Sequence, residues 1–201
     1  VLAVVDYGIG NLRSAVKAMG RVHERAALVH DPDELSGAVG IVQPGVGAFG
    51  RCAEALDQGG WRAPLLDAIR EGVPFLGICV GFQLLYESSA ESPGARGLGV
   101  LAGEVARLGP GVKLPQIQWN QLELKRPSPL LPASAAGDWM YFVHSYAPPV
   151  GDETVAVCDY GGEVAAAVER GSLFGCQFHP EKSGAAGLEL LRRFAELAEA
   201  R

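Results

Sequence analysis

Cys79 and His179 are the two side chains whose surroundings in this sequence suit covalent chemistry. Cys79 stands at the centre of Gly77-Ile78-Cys79-Val80-Gly81, between an apolar run and a helical pattern. A strand that turns into a helix within so few residues forces its middle residue into an unusual backbone conformation. Glycines on either side let neighbouring chain pass where a Cβ would collide. The sulfur then stands above the sheet at a helix N-terminus, where the dipole favours thiolate. The N–H of Val80 points to the same place and suits an oxyanion. Taken alone, the motif fits a buried core cysteine at a strand end equally well.

The second motif is Gln177-Phe178-His179-Pro180-Glu181, again after an apolar run. A residue before proline is pushed toward extended geometry, and extended residues at i and i+2 project to one side. His179 and Glu181 are therefore expected to project together, with the carboxylate beside the imidazole. That is the base and orienter that a thiol nucleophile needs. Alone, the stretch reads more readily as a surface turn. The pair gains weight because both motifs end strands of an α/β pattern, and active sites of parallel sheets collect at the carboxyl ends of strands.

The elements that must position these residues follow from hydrophobic periodicity. Strands are expected at 1–5, 26–30, 39–43 and 73–78, and helices at 11–19 (with Asn11 as N-cap), 49–58, 62–71 and 80–87. Alternation of this kind implies βαβ units and a mostly parallel sheet. The second half is richer in strands, near 103–107, 115–124, 138–146, 154–158, 164–169 and 172–177, before a helix at 183–200. The expected fold is α/β: a doubly wound, mostly parallel sheet with helices on both faces and an added antiparallel portion. The chain is expected to form a single domain over 1–201, since no repeat, low-complexity segment or linker interrupts it.

With 48% hydrophobic residues among 201, the chain can bury an ample core. Seventeen basic against 23 acidic residues, a net charge of −6, leave no electrostatic footprint for nucleic acid. No apolar run approaches the roughly 20 residues needed to span a bilayer. VLAVV meets Asp6 at once, with no basic n-region or cleavage site, so no signal peptide is expected and the cytoplasm is the expected location. The first residue is not methionine, which leaves room for residues ahead of it. Cys52, Cys79, Cys158 and Cys176 form no CxxC pair and no metal-ligand spacing. They are expected to be reduced thiols, three of them small buried hydrophobes.

Other marks are weaker. Gly45 to Gly50 fits GxGxxG literally, but it follows the third strand and begins after Pro44. A glycine turn that offers backbone N–H groups to a small ligand or an oxyanion fits it better. Asp6-Tyr7-Gly8-Ile9-Gly10-Asn11, Trp119-Asn120 and His144-Ser145-Tyr146 read by themselves as turn chemistry or half-buried strand. Lys182 reads as a solvated charge, and His23 and His30 as incidental.

Together these segments resemble the class I, triad-type glutamine amidotransferases and, more narrowly, the glutaminase subunits of imidazole glycerol phosphate synthase. The resemblance rests on DYGIGN (6–11), PGVGAF (44–49), FLGICVGFQLLYE (75–87), WN (119–120), HSY (144–146) and QFHPEKSG (177–184). It spans nearly the whole chain. PGVG is informative because several sister amidotransferases carry a different glycine motif there. One departure is Gln118, where the family often has glycine.

The resemblance implies Cys79, His179 and Glu181 as the triad. Gly47, Gln83, Glu91 and His144-Ser145-Tyr146 would hold glutamine, with Glu91 meeting its ammonium group. Val80 and the Val46–Gly47 loop would supply oxyanion donors. No metal and no organic cofactor is implied. The partner would be a (β/α)₈-barrel cyclase that consumes ammonia in histidine biosynthesis, docked on a face that includes Asn11, Trp119 and Lys182. Two other readings stay open at this stage: a related Cys–His hydrolase acting on peptides or γ-glutamyl compounds, and a non-catalytic α/β binding module.

Overall fold

The computed structural model describes residues 1–200. The chain runs through β1 (Leu2–Val5), α1 (Leu12–Val22), β2 (Ala26–Val29), β3 (Gly40–Gly45), α2 (Phe49–Gln58), α3 (Arg62–Arg70), β4 (Phe75–Cys79) and α4 (Val80–Gln83). It continues through β5 (Ser88–Ser89), β6 (Glu104–Arg107), β7 (Gln116–Gln121), β8 (Glu123–Leu124), β9 (Trp139–His144), β10 (Tyr146–Ala147), β11 (Thr154–Asp159), β12 (Glu163–Arg170), β13 (Leu173–Cys176) and α5 (Gly184–Glu199). No helix among the described residues is long and apolar enough to cross a membrane.

Among the described residues an eight-stranded sheet runs in the order β2-β1-β3-β4-β13-β12-β11-β8. The first five strands are parallel and the last three are added antiparallel. β1, β3, β4 and β13 are buried at every residue, as strands covered on both faces must be. α5 packs on one face, where a Cβ on Gly40 would meet Ala198 and Phe194. α4 packs on the other, so helices cover both faces as the βα alternation predicts.

Gln43, Gly77 and Gly175 lie in one row across β3, β4 and β13. The glycines of that row make room for α4. A Cβ on Gly77 would lie 2.7 Å from the Gly81 carbonyl oxygen, and one on Gly81 would lie 1.9 Å from that of Gln43. The helix leaving Cys79 therefore sits against bare backbone, which is the close approach expected of this motif.

Three expected elements are corrected. The helix expected at 80–87 is one turn long. Beyond it the carbonyls of Leu84, Leu85, Tyr86 and Glu87 accept hydrogen bonds from Leu98, Leu101, Gly99 and Gly97, so a returning loop replaces the intrahelical partners. The strand expected at 115–124 breaks at Leu122, whose N–H and C=O both pair with the 137–138 turn. β7 stays in a two-stranded ribbon with β9, while β8 joins the main sheet. The strand expected at 138–146 divides at Ser145, with β10 entering a small sheet in the order β10-β6-β5. Asn11 occupies the cap position of α1, but its side chain makes no cap hydrogen bond.

Candidate active site

β3, β4 and β13 are parallel neighbours, so their carboxyl ends open at one edge. Gly45 stands opposite Cys79 across β3 and β4, and Ile78 opposite Cys176 across β4 and β13. This brings the two chemically suggestive motifs and the PGVG loop to one place. Cys79 has φ 55° and ψ −112°, the one positive φ among described non-glycine residues. Residues held in such regions cluster at functional sites. The conformation turns the sulfur into a cavity of about 150 Å³ lined by Val46, Gly47, Val80, Gln83, Glu91, His144, Ser145, Tyr146 and His179. Every residue named above for the triad's thiol and base, the substrate and the oxyanion thus borders one cavity. A larger groove, about 330 Å³, between β6, β10 and the 160–162 turn has neither cysteine nor histidine in its walls.

His179 and Glu181 meet as expected, but the backbone differs. His179 is extended, while Pro180–Lys182 forms a 3₁₀ turn. The turn brings Glu181 Oε1 to 2.8 Å from His179 Nδ1, with both side chains almost fully buried. A carboxylate at Nδ1 places the proton there, so neutral His179 presents a bare Nε2 as base. Nε2 is buried and makes no aligned hydrogen bond. Burial alone would lower the His179 pKa, but the nearby Cys79 sulfur and the Glu181 carboxylate, which both favour the charged ring, outweigh it and raise it to about 9. The imidazolium is thus favoured beside the sulfur.

Gln177 was not singled out in the sequence. It is fully buried, with Nε2 3.8 Å from Cys79 Sγ, and its Oε1 accepts from Gln83 Nε2 at 3.1 Å. A polar side chain two residues before His179, at the end of an apolar run, is the signal that could have found it. Gln83 spends its other amide proton on the Tyr146 carbonyl at 2.9 Å, which leaves only Oε1 for a ligand. Val143 was also missed. Its carbonyl lies 4.0 Å from Cys79 Sγ.

Glu91 Oε2 accepts from the N–H of Phe49 at 2.8 Å, so the first turn of α2 anchors this carboxylate at the cavity wall. His144 Nδ1 lies 2.8 Å from the Tyr146 carbonyl. An acceptor there requires Nδ1–H, and Nε2 is then a lone-pair acceptor, buried and unpaired. Burial holds the His144 pKa down at about 4, opposed by the Tyr146 bond and reinforced by His179. The His144 side chain therefore suits an N–H donor. The other three thiols are kept protonated. Burial pushes Cys52 and Cys176 up and Cys158 to about 11.

The three residues expected at a partner face lie outside the cavity. Trp119 is 47% exposed on the ribbon, in edge contact with Tyr141. Lys182 Nζ lies 5.8 Å over the Tyr141 ring, so it is not a lone solvated charge. Asn11 ends the loop after β1, half-buried. His30 and His23 pair with Asp6 and Glu199, away from the site.

The class I glutamine amidotransferase family matches residues 3–197. The chain is 47% identical over 201 residues to imidazole glycerol phosphate synthase subunit HisH of Methanothermobacter thermautotrophicus, with all of both chains covered (100% each). It is 48% identical over 203 residues to the same subunit of Thermococcus kodakarensis, covering 98% of this chain and 100% of the relative. A crystal structure of a glutamine amidotransferase superposes with TM-score 0.76 at 23% identity, covering 99% of this chain and 100% of that one. PurLQS from Thermotoga maritima gives 0.76 at 21%, covering 97% and 96%.

Proposed function

The chain belongs to the class I glutamine amidotransferases and, within them, to the HisH subunits of imidazole glycerol phosphate synthase; from that premise we propose how it releases ammonia and where the ammonia goes. Acting as one domain over 1–201, it hydrolyses glutamine to glutamate and ammonia for histidine biosynthesis. Cys79 thiolate attacks the amide carbon, and the N–H groups of Val80 and the Val46–Gly47 loop receive the oxyanion. Imidazolium at His179, oriented by Glu181, protonates the leaving nitrogen as the C–N bond breaks. His179 then takes a proton from water, which attacks the glutamyl thioester and returns the thiol.

Substrate recognition uses the cavity wall. Glu91 meets the α-ammonium, Gln83 Oε1 and His144 Nε2 accept from N–H groups, and Gly47, Ser145 and Tyr146 surround the rest. The observation that carries this reading is the strained Cys79 in one cavity with a histidine whose Nδ1 a buried carboxylate holds at 2.8 Å.

Ammonia released into neutral water is protonated and loses its nucleophilicity, so its consumer must dock over the site. The partner is a (β/α)₈-barrel cyclase. On the β7–β9 ribbon, alternation places Gln116, Met140, Phe142 and His144 toward the core. Ile117, Trp119 and Trp139 on the opposite face are 58%, 47% and 54% exposed. Three large apolar side chains on one solvent face mark a docking surface with aromatic anchors. The same ribbon carries Val143 to the sulfur, so the docking face and the chemistry are continuous. Lys182 and Asn11 add polar contacts, and the reaction occurs in the cytoplasm with no metal or organic cofactor.

The test is glutaminase turnover by the isolated chain and by the chain with the liganded cyclase. Low activity alone and strong stimulation by the partner are expected. Trp119→Ala should weaken the complex. Full turnover by the isolated chain, unchanged by the partner, would refute the coupling.

A further inference from the structure

The carbonyls of the PGVG loop are held from beneath by two buried donors that the mechanism above does not use. The Tyr7 hydroxyl donates to the Pro44 carbonyl at 2.8 Å, and the Cys52 thiol donates to the Val46 carbonyl at 3.3 Å. Tyr7 is 6% exposed and Cys52 is fully buried at 0%, so water does not compete for either contact. Both keep their protons. Burial raises the Tyr7 pKa well above its ordinary value, with Cys52 adding to the rise. Burial also raises that of Cys52, opposed by Tyr7 and helped by Cys79. Space is as tight under Gly45, where a Cβ would lie 2.6 Å from Gly81 N and 2.8 Å from the Tyr7 hydroxyl.

The C=O and N–H of a trans peptide point in opposite directions. A Val46 carbonyl bound to Cys52 therefore turns the Gly47 N–H away from Cys52. Gly47 has φ 86°, open to glycine at no steric cost, so this peptide has little intrinsic resistance to turning over. Its orientation depends on what holds the carbonyl. We propose that Cys52 and Tyr7 are positioning residues of the oxyanion loop, fixing the Pro44 and Val46 carbonyls from below so that the Gly47 N–H faces the cavity that contains Cys79. The proposal deepens the amidotransferase reading and rests on it. Tyr7 also belongs to the loop that ends at Asn11, so a partner pressing on that loop acts on the Pro44 carbonyl through one side chain.

The test separates carbonyl chemistry from thiol reactivity in the complex with the cyclase. Glutamine hydrolysis passes through an oxyanion. Alkylation of Cys79 by iodoacetamide does not, because sulfur displaces iodide at a saturated carbon. Cys52→Ala and Tyr7→Phe remove one donor each and little volume. Losing one hydrogen bond should lower kcat roughly three- to tenfold, with KM for glutamine and the alkylation rate within about twofold of wild type. Cys52→Ser, which restores a donor, should recover most of the kcat. Wild-type kcat in both Cys52→Ala and Tyr7→Phe would overturn the proposal. So would kcat and alkylation falling together, since the residues would then be acting on the whole turn. Wild-type complex no faster than Cys79→Ala would overturn the amidotransferase reading itself, and the two failures are distinguished by the activity of the wild type.

Discussion

Replacing Cys79 by glycine and by alanine measures the strain stored at the proposed nucleophile. Both changes remove the sulfur, so the pair differs only in the Cβ and in backbone freedom. At φ 55° and ψ −112° the chain occupies the mirror image of an ordinary extended conformation, which glycine enters freely. A non-glycine residue held there costs on the order of 1–3 kcal/mol. At an unstrained strand position glycine is instead roughly 0.5–1 kcal/mol less stable than alanine. The difference predicts Cys79→Gly more stable than Cys79→Ala by about 1 kcal/mol. For a chain of this size that corresponds to a Tm roughly 2–4 °C higher. Thermal and urea melts of the isolated chain at one pH would show it, with Ala165→Gly, at a fully buried position in β12, as a control that should melt lower than wild type. A Cys79→Gly chain that melts below Cys79→Ala would refute the reasoning that this turn is strained and that the strain is what aims the sulfur.

Glu181→Gln should lower kcat in the complex by on the order of a thousandfold, with a much smaller change in KM, because it loses the carboxylate that orients His179 and stabilises its imidazolium; activity that an EDTA wash abolishes and a divalent ion restores would point to a metal-ligand role instead. Glu91→Gln can still accept from Phe49 N–H but removes the charge, so KM for glutamine should rise roughly tenfold at similar kcat; unchanged KM would remove Glu91 from the ammonium site. Stability should peak near pH 6.5. His144, held at about 4 against an ordinary 6.5, contributes fully above 6.5 and loses that contribution as pH falls toward 4. His179, raised to about 9, contributes fully below 6.5 and loses it as pH rises through 9. Each limb is worth at most on the order of 3 kcal/mol. Urea unfolding across that range reads both limbs, and Cys79→Ala should flatten the alkaline one.

Local chemistry made much of this site legible before any fold was known. Gly77 and Gly81 around Cys79 announce a turn that excludes Cβ atoms, and the clash distances at both positions bear that out. The reach of Glu181 to His179 lies within a few residues of chain and survives the change from extended strand to 3₁₀ turn. The outward apolar residues of the ribbon were legible only in part. Trp119 was visible beside Asn120, but Ile117 and Trp139 join it only through the pairing of β7 with β9.

The sequence by itself determined which segments are buried on both faces and where the candidate chemical motifs lie, because hydrophobic period and turn type are encoded within a few residues. Strand order is not encoded that way. β13 lies beside β4 only because the crossovers and the packing of α4 and α5 place it there, and that adjacency brings Gln177 to Cys79 from 98 residues along the chain. The tertiary structure likewise decided that α4 stops after one turn, because the loop at 97–101 captures the carbonyls that would have continued it. It decided also that Tyr7 and Cys52 lie under the PGVG loop. A buried tyrosine and a buried cysteine look like core in any sequence. Only the position of the carbonyl each one meets gives it a role, and that position is set by contacts between segments distant in the chain.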